Sequence, residues 1–224
     1  MIKNNGTDGA FFIKLIRKDE HHSFLASPQM VRLLAPESRG TNSFRLSSIA
    51  SLGYPARWRK HDHLQEIDFI SYDLVDKHLG ILSIERIPSQ TRLPLTMLPT
   101  GSIAFGRIRP YLANIGVIPE TKSGFVVTNS EWIVIQHKKG LNHLLCSLLR
   151  ADACLSQLHA TSGQTRPRIS IESLAEIQIP WPFDDHKAKA LDSELKEATT
   201  LRTDADARIE RINREILAIL GKGK

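Results

Sequence analysis

The chain has 224 residues, 41% of them hydrophobic and 24% charged; these are ordinary globular proportions that exclude wholesale disorder and leave room for one body plus a short extra element. A total of 30 Lys and Arg against 24 Asp and Glu gives a net charge of +6, which favours a polyanionic partner. The sequence has no apolar run of roughly 18 residues and no signal peptide at Met1, so we expect a cytoplasmic protein that does not enter a membrane.

Residues 1–43 mix an apolar run at 11–16 with polar and turn-rich stretches and read as an N-terminal extension. Within it, Ser27 suits the N-cap of a short helix over 28–34. From Phe44 the chain changes character. The runs 67–72, 80–87, 102–107 and 125–135 are rich in β-branched and aromatic residues and are separated by turn residues, which is the pattern of a sheet.

Over 141–158 the spacing becomes helical, with Leu141, Leu144, Leu145, Leu148, Leu149 and Leu155 on one face, and predicts a single helix packed on the sheet. Cys146 and Cys154 fall in that helix, lack the paired spacing of a zinc site and read as core thiols. A loop at 164–168 leads to a strand ending in Ile177, Gln178 and Ile179, and Trp181, Pro182 and Phe183 close a body spanning 44–183.

Residues 184–224 contain no proline, and glycine first returns at Gly221. Here Ala188, Leu191, Leu195, Ala198, Arg202, Ala205, Ile209, Ile212, Ile216 and Ile219 recur in alternating three- and four-residue steps, a heptad seam on one helix about 50 Å long. Such a seam needs a second helix, from this chain, another copy or a partner. The fold class expected is α+β: a β-rich domain with packed helices, followed by a long C-terminal coiled-coil-type helix.

Four segments carry a family resemblance: Gly-Ser-Ile-Ala-Phe-Gly-Arg-Ile-Arg-Pro-Tyr-Leu at 101–112, Thr-Asn-Ser-Glu-Trp at 128–132, Ser-Gly-Gln-Thr-Arg-Pro-Arg-Ile-Ser at 162–170 and Ile-Gln-Ile-Pro-Trp-Pro at 177–182. In this order, with the long helix behind them, they resemble the specificity subunits of type I restriction-modification systems. The resemblance implies a target recognition domain that reads half of a split site on double-stranded DNA, followed by a helix that acts as spacer. It also implies a methyltransferase subunit and a restriction subunit as partners, which supply all catalysis. Subunits of that family carry two recognition halves and this sequence carries one, as a half-subunit, a fragment or a chain that pairs with itself through the C-terminal helix would. After Pro182 the sequence departs from the family pattern, with Asp184, Asp185, His186 and Lys187 where a Gln-containing acidic stretch is usual.

DNA reading needs cations for phosphates and planar donors or aromatic faces for base edges. Arg57, Trp58, Arg59, Lys60, His61 and His63 form the densest such cluster; its alternative is a solvated loop with Trp58 packed on the core. Arg107 and Arg109 flank Ile108, and Pro110 biases Arg109 toward extended backbone, so both arginines would share one face unless they serve to close the turn to Tyr111. Thr165, Arg166 and Arg168, stiffened by Pro167, can be presented to a phosphate or to guanine at little entropic cost; the recurrence of this loop that the family resemblance implies suits phosphate or scaffold contacts better than base readout. Arg92 and Lys77 read as a solvated face, and His61, Asp62 and His63 as a surface loop rather than a metal site, for want of a third ligand. No amino-methyltransferase signature, Walker loop or nucleophile elbow occurs. We therefore expect a non-catalytic chain without a cofactor, and the competing reading is a coiled-coil interaction module whose basic surface is incidental.

Overall fold

The computed structural model describes residues 42–59, 65–77, 79–158 and 167–221. The expected helix at 28–34, together with Lys60, His61, His63, Thr165 and Arg166, lies outside the described residues.

The chain enters through β1 (Ser43–Arg45), which pairs antiparallel with β13 (Gln178–Pro180), so the two ends of the body are stitched together. A six-stranded sheet follows the order β2 (Ala50–Gly53), β12 (Trp132–His137), β9 (Ile103–Gly106), β10 (Ile115–Val117), β6 (Ile81–Leu82) and β5 (Val75–Asp76). A five-stranded sheet has the order β3 (Ala56–Arg57), β8 (Thr96–Pro99), β11 (Phe125–Thr128), β4 (Glu66–Phe69) and β7 (Glu85–Pro88).

Strand alternation shows how the layers stack, because successive side chains leave a strand on opposite faces. In β12, Ile133 and Ile135 join one core with Ile103, Phe105, Leu145, Leu149 and Leu174, between the six-stranded sheet and the helices. Trp132 and Val134 join a second core with Ala104, Leu98 and Val126, between the two sheets. Within β11 the next residue, Val127, turns to a third cluster with Trp58, Ile67, Phe69 and Leu95. The helical layer comprises α1 (Leu46–Ile49), α2 (Asn142–Leu149), α3 (Asp152–Leu155) and α4 (Ile171–Ala175).

The single helix expected over 141–158 is two helices. α2 ends at Leu149, and Ala151 is extended, at φ −70° and ψ 147°. The break lets α3 turn onto β13, where the Cys154 thiol points at the Gln178 carbonyl and Gln157 exchanges hydrogen bonds with the Gln178 backbone. Both cysteines are core thiols, each pushed up to about 12 by burial.

The last element, α5 (Asp185–Gly221), is one helix of 37 residues, about 55 Å long. Its heptad seam has two fates. At the start, Ala188 is fully buried and Leu191 and Leu195 are half-buried against Leu141, Leu144, Trp181 and Phe183. Farther along, Ala198 and Ala205 are exposed, as are Ile209 at 56%, Ile212 at 43%, Ile216 at 48% and Ile219 at 72%. Arg202, the polar member of the seam, pairs with Asp206 one turn on, at 3.0 Å. Among the described residues no helix is long and apolar enough to cross a membrane.

Candidate nucleic-acid interface

Strand register gathers the basic residues at one end of the two sheets. Trp132 pairs with Gly106 and Val134 with Gly53, so the end of β9, the start of β12 and the end of β2 lie side by side. In the other sheet Thr128 pairs with Thr96, and Thr96 with Arg57. Residues 129–131 join β11 to β12, so the two sheets share this end, which carries Tyr54, Arg57, Arg107, Arg109 and Glu131. The long helix starts from the other end. There Lys139, just beyond β12, holds Asp185 at 2.9 Å, and Asn142 donates to the Gly101 carbonyl ahead of β9 at 2.8 Å. Across the 6 residues of β12 the two ends stand about 17 Å apart.

Glu131 is the anionic centre of the basic end. Its carboxylate accepts Arg168 Nε at 2.9 and 3.0 Å and Arg168 Nη2 at 2.7 Å, and Arg107 Nη1 lies 3.7 Å away. The Arg168 hydrogen bonds hold the Glu131 carboxyl below the usual carboxylate range, against partial burial and with help from the charges of Arg168 and Arg107. The Glu131 carbonyl accepts the Tyr72 hydroxyl and the Arg107 amide. Burial pushes the Tyr72 hydroxyl up to about 12, and its ring packs edge-on against Trp132 at 4.6 Å. Gly106 makes this corner possible, because a Cβ there would stand 2.9 Å from the Asn114 side chain and 3.0 Å from the Tyr72 ring.

Arg107 and Arg109 do not share an extended face. Arg109 is left-handed, at φ 48° and ψ 60°, and Pro110 opens a turn of 3-10 helix over Pro110–Leu112. The tertiary hydrogen bond from the Arg109 amide to the Pro167 carbonyl, at 2.8 Å, overrides the usual bias of a residue before proline. As a result Arg107 folds inward, its guanidinium 4.8 Å from the Tyr54 ring centre and its Nε donating to the Ile169 carbonyl at 3.2 Å, while Arg109 is exposed.

Trp58 is a core residue, 8% exposed in the third cluster, with its amide donating to the Leu95 carbonyl at 2.9 Å. The surface role weighed for it is thereby corrected: it anchors the segment on which Arg57 and Arg59 are exposed. Neither of these two nor Arg109 has an ion-pair partner among the described residues, whereas Arg168 is committed to Glu131. Arg92 is exposed, and the Lys77 carbonyl receives Arg150 at 2.6 Å. The sequence reading assigned no role to Glu131, Tyr54 or Tyr72. Glu131 and Arg168 are 37 positions apart, a relation that no local spacing reveals.

No family model matches the sequence, and no curated protein matches it. Solved structures do. An HsdS subunit from Thermoanaerobacter tengcongensis aligns over 82% of this chain and 48% of its own, at 21% identity and a TM-score of 0.55. A chain from a study of complex assembly and conformational transition in a type I restriction-modification system aligns over 81% of this chain and 49% of its own, again at 21% identity and a TM-score of 0.55. The fold is that of a type I specificity subunit. The S subunit from M. genitalium agrees, at 14% identity, 79% of this chain, 43% of its own and a TM-score of 0.52. This chain spans about half the length of the specificity subunits it matches. Within the shared fold, three of the segments that carry the sequence resemblance, around Arg107, Glu131 and Arg168, are the ones that meet at the basic end.

Proposed function

We propose that this chain reads half of a split site on double-stranded DNA, as the target recognition component of a type I restriction-modification specificity subunit. The observation that carries the reading is the specificity-subunit fold over four fifths of the chain, with its exposed arginines gathered at the sheet end away from the long helix. Arg57, Arg59 and Arg109 contact phosphates and fix register, each presented by a buried or hydrogen-bonded neighbour. Arg107 and Arg168 shape the surface by holding Glu131, and Lys60, His61, Thr165 and Arg166 belong to the two segments that flank it in sequence. Base edges are read by side chains of the loops at this end, where guanidinium and amide groups offer planar donors. α5 sets the separation from a second recognition domain, and its exposed seam of Ala205, Ile209, Ile212, Ile216 and Ile219 pairs with another helix, from a second copy or from the rest of a longer subunit. Methylation and cleavage belong to a methyltransferase subunit and a restriction subunit that this chain directs to its site. The chain works in the cytoplasm, where that DNA is.

Selection of bound duplexes from a randomised library tests the reading, with salt varied and oligomeric state recorded. Enrichment of a short motif of about three to five base pairs, lost steeply as salt rises, is the expected result. The exposed helical seam favours a second reading, a protein interaction module whose basic surface is incidental. No retention of duplex DNA at near-physiological salt would establish that one instead.

A further inference from the structure

Four stretches of chain meet at one glutamate. The Glu131 carboxylate takes both Arg168 and Arg107, and its carbonyl takes the Tyr72 hydroxyl and the Arg107 amide. The stretch around Arg168 is laced to the end of β9 by the Arg109 amide on the Pro167 carbonyl and by the Ile169 amide on the Arg107 carbonyl at 3.1 Å. Between those bonds Ile108 and Arg168 form an isolated antiparallel bridge. These bonds hold Arg109 left-handed before a proline, a conformation that persists only where the surroundings over-determine it.

A carboxylate on a DNA-facing surface repels phosphate, so its presence needs a function that outweighs the repulsion. A partly exposed ion pair adds little to stability, but a two-pronged guanidinium contact fixes direction. We propose that Glu131 is a positioning residue for DNA reading: by gripping Arg168 and Arg107 without touching the duplex, it fixes the turn that presents Arg109. This rests on the DNA-reading function proposed above.

The role predicts a split between two affinities that simple charge or simple stability would move together. The test uses the full chain, the duplex it selects and a scrambled duplex of equal length, with affinities measured over a range of KCl. In Glu131→Gln, affinity for the scrambled duplex stays equal or rises, because a negative charge has gone. Preference for the selected duplex over the scrambled one falls about tenfold, as expected for one misplaced base- or register-setting contact. Arg168→Gln loses preference to the same extent, and the double variant loses no more than either single one. If Glu131→Gln does not fold, Arg168→Gln breaks the same pair from the other side and decides alone. Preference retained in a folded Glu131→Gln or Arg168→Gln overturns the proposal, as does a parallel loss of both affinities. A wild-type chain that shows no preference for any duplex refutes the DNA-reading function itself, an outcome distinct from a variant that keeps a preference the wild type has.

Discussion

The Asp192 carboxylate accepts the Leu144 main-chain amide at 2.8 Å, so the long helix caps the first turn of the helix it packs against. α2 has no side-chain cap of its own, since Leu141 occupies its N-cap. An acceptor from another element therefore meets an otherwise orphan donor and sets its charge at the positive end of the helix. Asp192→Ala should destabilise the fold by about 1 kcal/mol, the usual cost of removing a cap, measured as a lower urea midpoint with an unchanged slope. Asp192→Asn, which keeps the acceptor and loses the charge, should cost less.

Stability should fall on mild acidification. His137 stacks on Trp181 at 5.4 Å, and its Nδ1 accepts the amides of Lys139 at 3.1 Å and Leu141 at 3.3 Å, so the neutral ring is the one that fits. Burial lowers its pKa from the ordinary 6.5, against the raising effect of Asp192 and with Lys139 adding to the lowering. Burial also lowers that of His143, which senses Asp192, Lys196 and Glu120. With folded values below unfolded ones, the unfolded chain takes up protons first, and the contribution is complete above about pH 6.5 and lost as the pH falls below it. Urea midpoints measured between pH 8 and pH 5 should show this decline, and His137→Gln should flatten part of it. Glu131, lowered by Arg168, adds a second loss only below the ordinary carboxylate range.

Arg57, Arg59 and Arg109 should behave differently from the tryptophan between the first two. Single alanine substitutions at the exposed arginines should leave the unfolding transition in place; at Arg57 and Arg59 they should weaken binding to all duplexes alike, whereas at Arg109 the selected duplex should lose more than a scrambled one. Each should also reduce the salt slope by about one, the share of a single phosphate that is no longer neutralised. Trp58→Ala should instead cost about 3–5 kcal/mol of stability, because it empties the centre of the third core. A binding defect in Trp58→Ala that matches its unfolded fraction would place that residue in the fold and not at the DNA.

Periodicity made much of this architecture legible. The unbroken apolar run at 132–135, rich in β-branched and aromatic residues, marked a buried strand, and the three- and four-residue steps marked α5. What periodicity lacked was tertiary. Leu141, Leu149 and Leu155 share a helical spacing, yet the chain bends at Ala151 because β13 offers Cys154 and Gln157 a surface that a straight helix would miss. Pro110 predicted an extended Arg109 on local sterics, and a single hydrogen bond to Pro167 reversed it. Of the site, the positions of Arg107 and Arg168 could be named from sequence, but their shared carboxylate could not, since a distant acidic residue leaves no local signature. The seam of α5 was likewise visible as one stripe, and only the packing of α2 divides it into a docked part and an exposed part.

That division makes the helix separable by mutation. Leu191 and Leu195 pack against α2, so replacing both with alanine should destabilise the chain and loosen the attachment of the helix. Ile209, Ile212, Ile216 and Ile219 bury little within the chain, and Ile212→Asn with Ile216→Asn should leave the unfolding midpoint nearly unchanged. The same pair should abolish association through the seam, because a polar residue at two core positions removes apolar burial from both partners. Sedimentation over a range of concentrations measures this directly. Concentration-dependent association that disappears in the double variant assigns the seam to a second copy of the chain. A wild type that stays monomeric and soluble throughout assigns it to a helix of the rest of a longer subunit or of a partner, and the variant should then fail to join a complex that the wild type enters.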